Sequence, residues 1–427
     1  MKLKNKLSSI LFWSVISAAF IGPGTVTTAS SAGSAYGLDL IWVLVISTMA
    51  CIVLQINVTQ ITIQTEKNLG ELLRERFSKH KFIPFTLGIG ILFGCAAYQA
   101  GNLLGATLGL NLIIGIEQRW ILVAIVALAS AMLWFGSIQI VIRSLGAIVA
   151  LMGVVFVFIA FSLDFSFFHI LKSSIHPTLP VDSEFLVMGL IGTTIVPYNL
   201  FLGSGLSKGK KLSTSRFGLV IAISLGGLIS IFILLSGTLV SAPFDFEKLA
   251  TALTNKFGSW ANYLLAIGLF SAGFTSAMTA PLAAVFTIKS IFPNYKTLKD
   301  RNSSGYKTVW GFVMIFGLFF GFMDVKPIPA IILAQAINGI ILPFIAIFIL
   351  ILTTSRLANY RSKPLIFNVF SLAIVVYLII AIGSFNLLKL IVSPNLQMLF
   401  ATLIFAMAPI AAVLIMSFQS QRKIEKT

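Results

Sequence analysis

The sequence predicts an all-α integral membrane protein of about 12 transmembrane helices, arranged as a 5+5 inverted repeat with discontinuous helices 1 and 6. Three observations predict this fold. Hydrophobic residues make up 58% of the 427-residue chain and charged residues only 10%, against roughly 25% charged residues in soluble domains. Apolar segments recur at about the 20-residue length that a bilayer requires. Two of these segments are interrupted by proline, at matching positions of the two halves.

The predicted spans divide into two blocks of five and a final pair. Spans 1–5 (9–163) form the first repeat, spans 6–10 (185–354) the second, and two peripheral helices follow (365–417), all within one membrane domain (1–427). Because five is odd, the second block enters from the opposite side of the membrane, which is the signature of an inverted repeat. In order, the spans lie near 9–37, 39–64, 83–108, 120–137, 140–163, 185–206, 217–241, 259–288, 308–323, 328–354, 365–387 and 394–417.

Both interrupted spans begin a block. Span 1 breaks at Gly22-Pro23-Gly24-Thr25, and span 6 breaks at Val196-Pro197-Tyr198-Asn199. Proline removes a backbone donor and clashes with the preceding turn, so each span is expected to be two half-helices. Unwound backbone at membrane depth is tolerated where it is buried in protein or lines a cavity, so the two breaks together mark the predicted substrate site.

The basic residues are distributed asymmetrically. The net charge is +17, and with both termini inside, all but six of the 30 Lys and Arg residues fall in inside segments. This asymmetry predicts a multi-pass protein of the cell inner (plasma) membrane with both termini cytoplasmic. The basic loops are expected to contact anionic lipid of the bilayer and no nucleic acid, and the oligomeric state is not indicated. The six outside residues are Arg119, Lys172, Lys248, Lys256, Lys326 and Lys389.

Residue types that support catalysis are not grouped in the sequence. There is no nucleophile–base pair, phosphate loop or metal-ligand cluster, so neither an enzyme nor a cofactor is predicted. Cys51 and Cys95 fall inside spans and are interpreted as core residues and not as a disulfide. Trp13, Trp42 and Trp120 are interpreted as anchors at the membrane interface.

Two longer loops connect the spans. The inside segment 65–82 has a charge pattern compatible with a short solvated helix, whereas the outside segment 164–184 is expected to be irregular.

The two breaks, with the stretches 101–105, 271–279 and 335–343, resemble the NRAMP (natural resistance-associated macrophage protein) family of divalent-metal transporters. The resemblance covers spans 1–10. It implies the inverted-repeat fold shared with amino-acid transporters, and alternating access around a site between helices 1 and 6.

The chain departs from the family where the family binds metal. Gly22 and Thr25 replace an Asp and an Asn that are metal ligands in the family, and Val196 replaces a soft Met ligand. Thr193 stands at the position of an Ala whose carbonyl is a ligand.

The positions that assist proton movement in the family also differ. Asn102 replaces a Glu and Tyr198 replaces a His, while Gln335 matches a position that approaches the metal when the site closes. The candidate substrate-binding residues are therefore Gly22, Thr25, Asn102, Thr193, Val196, Tyr198, Asn199 and Gln335.

Span 8 carries hydroxyl groups that could hold a coupling ion. Ser271, Thr275 and Ser276 have helical spacing toward span 1, and in related folds hydroxyls there help to hold Na⁺. Hydroxyls in membrane helices more often bond to carbonyls of their own helix, and this arrangement is the alternative to a Na⁺ site.

Three functions remain open from the sequence. The first is a secondary transporter of the NRAMP type, in which the replaced ligands argue against transition-metal transport, since burying a dication without a carboxylate is expensive. The second is a transporter of a neutral or anionic small solute, with Na⁺ as a candidate coupling ion. The third is a non-transporting membrane sensor, although the sequence shows no soluble effector domain.

Overall fold

The computed structural model describes residues 3–80, 82–135, 153–292, 298, 302–323, 326–354 and 366–391, and regular structure within them is helical throughout. The helices are α1 Leu3–Phe20, α2 Pro23–Tyr36, α3 Ile41–Thr65, α4 Leu69–Arg76, α5 Phe82–Asn111, α6 Gln118–Phe135, α7 153–161, α8 Phe167–Ile175, α9 Glu184–Thr194, α10 Pro197–Ser207, α11 Leu212–Gly237, α12 Phe246–Phe257, α13 Trp260–Ile291, α14 Ser304–Phe322, α15 Pro327–Thr354 and α16 Ile366–Ile391.

Long apolar helices account for most of the predicted spans. Eight helical segments of the described chain are long and apolar enough to cross a bilayer, counting α9 and α10 together as one. The half-helices α1 and α2 make up predicted span 1, and α16 corresponds to span 11. Span 12 (394–417) and residues 140–152 of span 5 lie outside the described residues.

The helix packing repeats between the two halves. The half-helices of span 1, α1 and α2, pack on α11, and those of span 6, α9 and α10, pack on α3. Span 1 therefore contacts the second helix of the other repeat, as span 6 does. The third helices of the repeats, α5 and α13, pack on each other, and each also contacts α6 and α14. This exchange of partners is what two inverted repeats produce.

Close approach of backbones holds the half-helices in place. A Cβ atom on Gly33 would collide with the carbonyl oxygen of Leu234, so α2 lies directly on α11. In the same way, a Cβ on Gly192 would collide with the carbonyl oxygen of Gln335, which seats α9 on α15. Small residues at such crossings replace the hydrophobic driving force that is missing between helices in lipid.

The tryptophan prediction was wrong for Trp13. Its side chain is only 1% exposed and packs beside Gly218 of α11, because the glycine leaves room for the indole between the helices. Trp42 is also buried, and its ring nitrogen donates to the Thr178 carbonyl at 2.8 Å. Trp120 is 66% exposed on the described chain.

The loops contain more helix than the sequence indicated. The short helix expected in segment 65–82 is α4, which a capping box between Asn68 and Glu71 begins. Segment 164–184 was expected to be irregular, but it contains α8. Helix α12 was not predicted, and its N-terminus is capped by the Asp245 carboxylate, which accepts from the backbone of Glu247 at 2.7 Å.

Candidate functional site

Both predicted breaks are present, and they share one local geometry. Helix α1 ends at Phe20 and α2 begins at Pro23, while α9 ends at Thr194 and α10 begins at Pro197. Each proline occupies the first position of its half-helix, where its missing N–H group costs no hydrogen bond.

The unwound residues lie slightly earlier than the motifs suggested. They are Ile21–Gly22 and Ile195–Val196, so Thr25 and Tyr198 already lie in the first turns of α2 and α10. A proline fixes its own φ at a helical value, and the helix therefore starts at the proline and not after it.

The N-terminal ends of α2 and α10 carry no side-chain cap. The N-cap residues are Gly22 (φ −125°, ψ −173°) and Val196 (φ −77°, ψ 122°), and neither makes a side-chain hydrogen bond to its helix. Glycine and valine have no polar side-chain atom with which to do so. Both half-helices therefore present a positive end to the site, with no acidic residue in the first turn.

A pair of threonines joins the two breaks. The hydroxyl oxygens of Thr25 and Thr193 lie 2.8 Å apart, and the Thr25 hydroxyl also donates to the Phe20 carbonyl. A hydroxyl has one proton, so Thr193 must be the donor to Thr25. The pair connects the start of α2 to the end of α9, which confirms that spans 1 and 6 meet at their breaks.

Two tyrosines close the end of α1. Tyr98 of α5 and Tyr198 of α10 are both buried, and their rings meet edge to face with centroids 5.5 Å apart. Both hydroxyls donate to the carbonyl of Ala19, at 3.4 Å from Tyr98 and 3.3 Å from Tyr198. The terminal carbonyls of α1 are therefore bonded to side chains of the protein itself.

Gly22 faces the hydroxyl of Ser276. An ideal Cβ on Gly22 would lie 2.7 Å from the Ser276 oxygen and 3.5 Å from the Tyr98 oxygen. Ser276 is fully buried, and its hydroxyl has no hydrogen-bond partner. Ser276 thus occupies space that a side chain at position 22 would enter.

Among the described residues, three buried carboxamides have no partner for either polar atom. They belong to Asn102 on α5, Asn199 on α10 and Gln335 on α15. The Gln335 amide lies against Gly24, where a Cβ would come within 2.9 Å of its oxygen. A buried polar atom without a partner costs about 1–3 kcal/mol, so these groups are poised to bond with an occupant.

Asn102 faces the first break from α5. Gly105, one turn further along, packs against Pro23, and Tyr98, one turn earlier, reaches Ala19. Residues three and four apart share one face of a helix, so Asn102 lies on the face that borders this break. Cys95 lies on that same face and is buried.

The hydroxyl groups of span 8 differ in their hydrogen bonding. Ser271, Thr275 and Ser276 are all buried on α13, but Thr275 donates to the carbonyl of Ser271 in its own helix. That bond is the usual arrangement of hydroxyls in membrane helices. Ser276 is different, since its hydroxyl has no partner and points to the N-cap of α2.

Two glutamines and one tyrosine of the site were not singled out from the sequence. Besides Tyr98, Gln99 donates to the Ala277 carbonyl at 3.0 Å, and Gln55 of α3 donates to the Asn199 carbonyl at 2.9 Å. The available signal was the spacing of Tyr98, Gln99 and Asn102 within one apolar span. Buried polar side chains in membrane helices are costly and often mark a site.

No typical metal centre is formed by these residues. Among the described residues, no group of three His, Cys, Asp or Glu side chains comes together. The polar groups at the breaks are hydroxyls, carboxamides and backbone atoms.

Sequence comparison decides the family. A family model described as "Natural resistance-associated macrophage protein-like" matches residues 14–389. The chain belongs to this Nramp family.

Individual Nramp relatives have low sequence identity to this chain, but their alignments cover most of it. A divalent metal cation transporter MntH from Verminephrobacter eiseniae is 24% identical over 84% of this chain and 84% of its own length. MntH from Aeromonas hydrophila is 24% identical over 87% of this chain and 93% of its own length. A Natural resistance-associated macrophage protein 2 homolog from Dictyostelium discoideum is 27% identical over 66% of this chain and 47% of its own length.

Solved structures show the same fold. A manganese transporter from Eremococcus coleocola superposes with a TM-score of 0.69 at 17% identity, covering 99% of this chain and 96% of that chain. The nucleobase-cation-symport-1 family transporter MHP1 superposes with a TM-score of 0.61 at 16% identity, covering 97% of this chain and 93% of that chain. This Nramp chain therefore has the inverted-repeat transporter fold that the sequence predicted.

Proposed function

We propose that this chain is a multi-pass secondary transporter that works by alternating access around the α1/α2 and α9/α10 breaks, with a solute other than a transition metal. Family membership and the fold support the transporter class. The observation that carries the finer proposal is the chemistry at the breaks, where Gly22, Thr25 and Val196 stand in place of metal ligands.

Metal binding is disfavoured by the groups that remain. Mn²⁺ prefers carboxylate, imidazole and carbonyl ligands, and a dehydrated dication at membrane depth needs compensating negative charge. The carbonyls at the end of α1 are bonded to Tyr98, Tyr198 and Thr25. A cation would have to displace these hydroxyls before it could use the carbonyls.

Alternating access is supported by burial and by the helix breaks. Thr25, Asn102, Thr193 and Gln335 are fully buried, so a solute reaches them only after helices move apart. Two-residue unwound segments are suitable hinges, because a few residues absorb the change in φ and ψ. The positive-inside distribution supports cytoplasmic termini and a plasma-membrane location.

Sodium is the candidate coupling ion. Hydroxyls and carbonyls are ligands that a monovalent cation can use without a carboxylate. Thr275 donates its proton to the Ser271 carbonyl, which leaves the hydroxyl lone pairs free for an ion.

The test is metal binding and uptake by the purified chain. Titration calorimetry with Mn²⁺, Mg²⁺ and Na⁺ should show no micromolar Mn²⁺ site, and Mn²⁺ uptake into proteoliposomes should match that of protein-free vesicles. Saturable Mn²⁺ uptake would contradict the proposal. A sensor would differ from a transporter by showing no counterflow of any ligand that it binds.

A further inference from the structure

We infer that the central site binds a small monovalent anion, a halide or a short carboxylate, between the N-termini of α2 and α10. The inference rests on the proposed function, because it names the class of solute that the same site takes. At the breaks, the N-termini of α2 and α10 have no side-chain cap, whereas the last carbonyls of α1 are hydrogen-bonded.

The positive helix ends are open. Helices α2 and α10 have 14 and 11 residues, and no side chain caps either N-terminus. Free backbone N–H groups and the aligned peptide dipoles make such an end attractive to negative charge.

The negative end of α1 already has partners within the protein. Its Ala19 and Phe20 carbonyls accept bonds from tyrosine and threonine hydroxyls. At the end of α9, the Ile191 carbonyl accepts from the backbone of Ile195 at 2.9 Å. Two open positive ends beside the bonded end of α1 leave a site that favours an anion.

Buried hydrogen-bond donors without partners also favour an anion. The Ser276 hydroxyl is fully buried, lacks a partner and faces Gly22, the N-cap of α2. Asn199 lies in the first turn of α10, is 3% exposed and has an unpartnered amide nitrogen. Asn102 adds a third buried, unpartnered amide nitrogen beside the first break. Hydroxyl and amide N–H groups are the donors that an anion requires.

The charge of the ligand is limited by the surrounding helices. Helices α2, α5, α9 and α10 contain no Lys or Arg, so no full positive charge is available on them to balance a divalent anion. The complete burial of Thr25, Asn102 and Thr193 at the breaks also favours a ligand of few atoms. A halide and a short carboxylate share the required single charge and small size.

The experiment is titration calorimetry on the purified full-length chain with sodium chloride and sodium formate. Sodium gluconate at the same sodium concentration and ionic strength serves as a bulky reference anion. The inference expects saturable binding of chloride or formate over gluconate, and the stronger of the two identifies a halide or a carboxylate site. Saturable binding of neither anion at millimolar concentrations would overturn it.

Two substitutions locate the site. Gly22→Asp places a carboxylate at the N-cap of α2, while Gly22→Asn places a neutral side chain of the same size there, so the difference between them isolates the charge. Affinity for the anion should be at least about tenfold lower in Gly22→Asp than in Gly22→Asn, because the carboxylate repels a bound anion. Equal affinities would contradict the inference.

Ser276→Ala provides the second measurement, because it removes a donor without adding volume. Anion affinity should fall roughly tenfold. Ser236→Ala is the matched control, since the Ser236 hydroxyl bonds to its own helix at Phe232. No loss in Ser276→Ala would overturn the inference. Anion binding without transport would refute only the transporter, and transport of another solute without anion binding would refute only the anion.

Discussion

Tyr98 and Tyr198 come from different repeats and donate to the same carbonyl oxygen, that of Ala19. The first is on α5, the third helix of its repeat, and the second is on the half-helix α10. Their rings pack edge to face, so the two side chains and the end of α1 form one unit. Separation of α1 from α5 requires the Tyr98 bond to break.

Tyr98→Phe should weaken this unit while the ring packing is retained. The lost hydrogen bond is long, so a loss of about 0.5–1 kcal/mol of unfolding free energy is expected. Thermal unfolding in detergent measures it. Tyr263→Phe is the control, since Tyr263 is 56% exposed on α13 and should change stability little. A Tyr98→Phe protein as stable as the control would show that the bond to Ala19 does not contribute to the free energy of unfolding.

Introducing the family's metal ligands should create a Mn²⁺ site only when neighbouring side chains are shortened to make room for them. Gly22→Asp with Thr25→Asn introduces the family ligands, but the Asp Cβ would lie 2.7 Å from the Ser276 oxygen. Adding Ser276→Ala and Thr193→Ala makes room for both new side chains. Calorimetry should show Mn²⁺ binding in the fourfold variant and much weaker binding in the double variant. Equal Mn²⁺ affinities in the two would mean that Ser276 and Thr193 do not limit the site.

The threonine bridge should behave as a coupled pair. Thr25→Val keeps the shape but leaves the buried Thr193 hydroxyl without its acceptor, at a cost of about 1–3 kcal/mol. Thr25→Val combined with Thr193→Val removes both polar groups and should destabilise the protein less than the sum of the single changes. Unfolding measurements on the four proteins of this cycle test the coupling. Strict additivity would show that the bridge does not form.

Transport should not be driven by protons at the central site. The family's Asp, Glu and His positions are here Gly22, Asn102 and Tyr198, and a phenol ordinarily titrates only at about pH 10. Solute uptake into proteoliposomes should therefore change little with an imposed pH gradient, and a sodium gradient is the matched comparison. Lumen acidification that depends on solute and survives Tyr198→Phe would reveal another proton route.

The helix breaks could be predicted because their cause is local. Pro23 and Pro197 each force a break through the geometry of one residue, and the apolar spans follow from the length of the bilayer. Trp13 was misassigned because its burial depends on a glycine about 200 residues away in the sequence, Gly218 on α11. Helix α12 had a readable signal in Asp245, a capping residue followed by Glu247.

The sequence supplied the candidate residues of the site, but the hydrogen bonds among them could not be predicted from it. Which hydroxyl bonds to which carbonyl depends on how α5, α10 and α13 meet around α1, and no local pattern encodes this. Tyr98 illustrates the limit, because in sequence it is one aromatic residue among many in apolar spans. Its contact with Ala19 exists only once the two repeats are packed together.

Because Cys95 is buried, chemical labelling of its thiol can report when the helices around the first break move apart. The chain has two cysteines, both buried, and Cys95 shares the face of α5 that carries Tyr98 and Asn102. Replacing Cys51 of α3 by alanine leaves a single thiol beside the first break. The rate at which a small maleimide labels that thiol then reports how often the helices part, and it can be followed under different salts without any engineered cysteine or attached fluorophore.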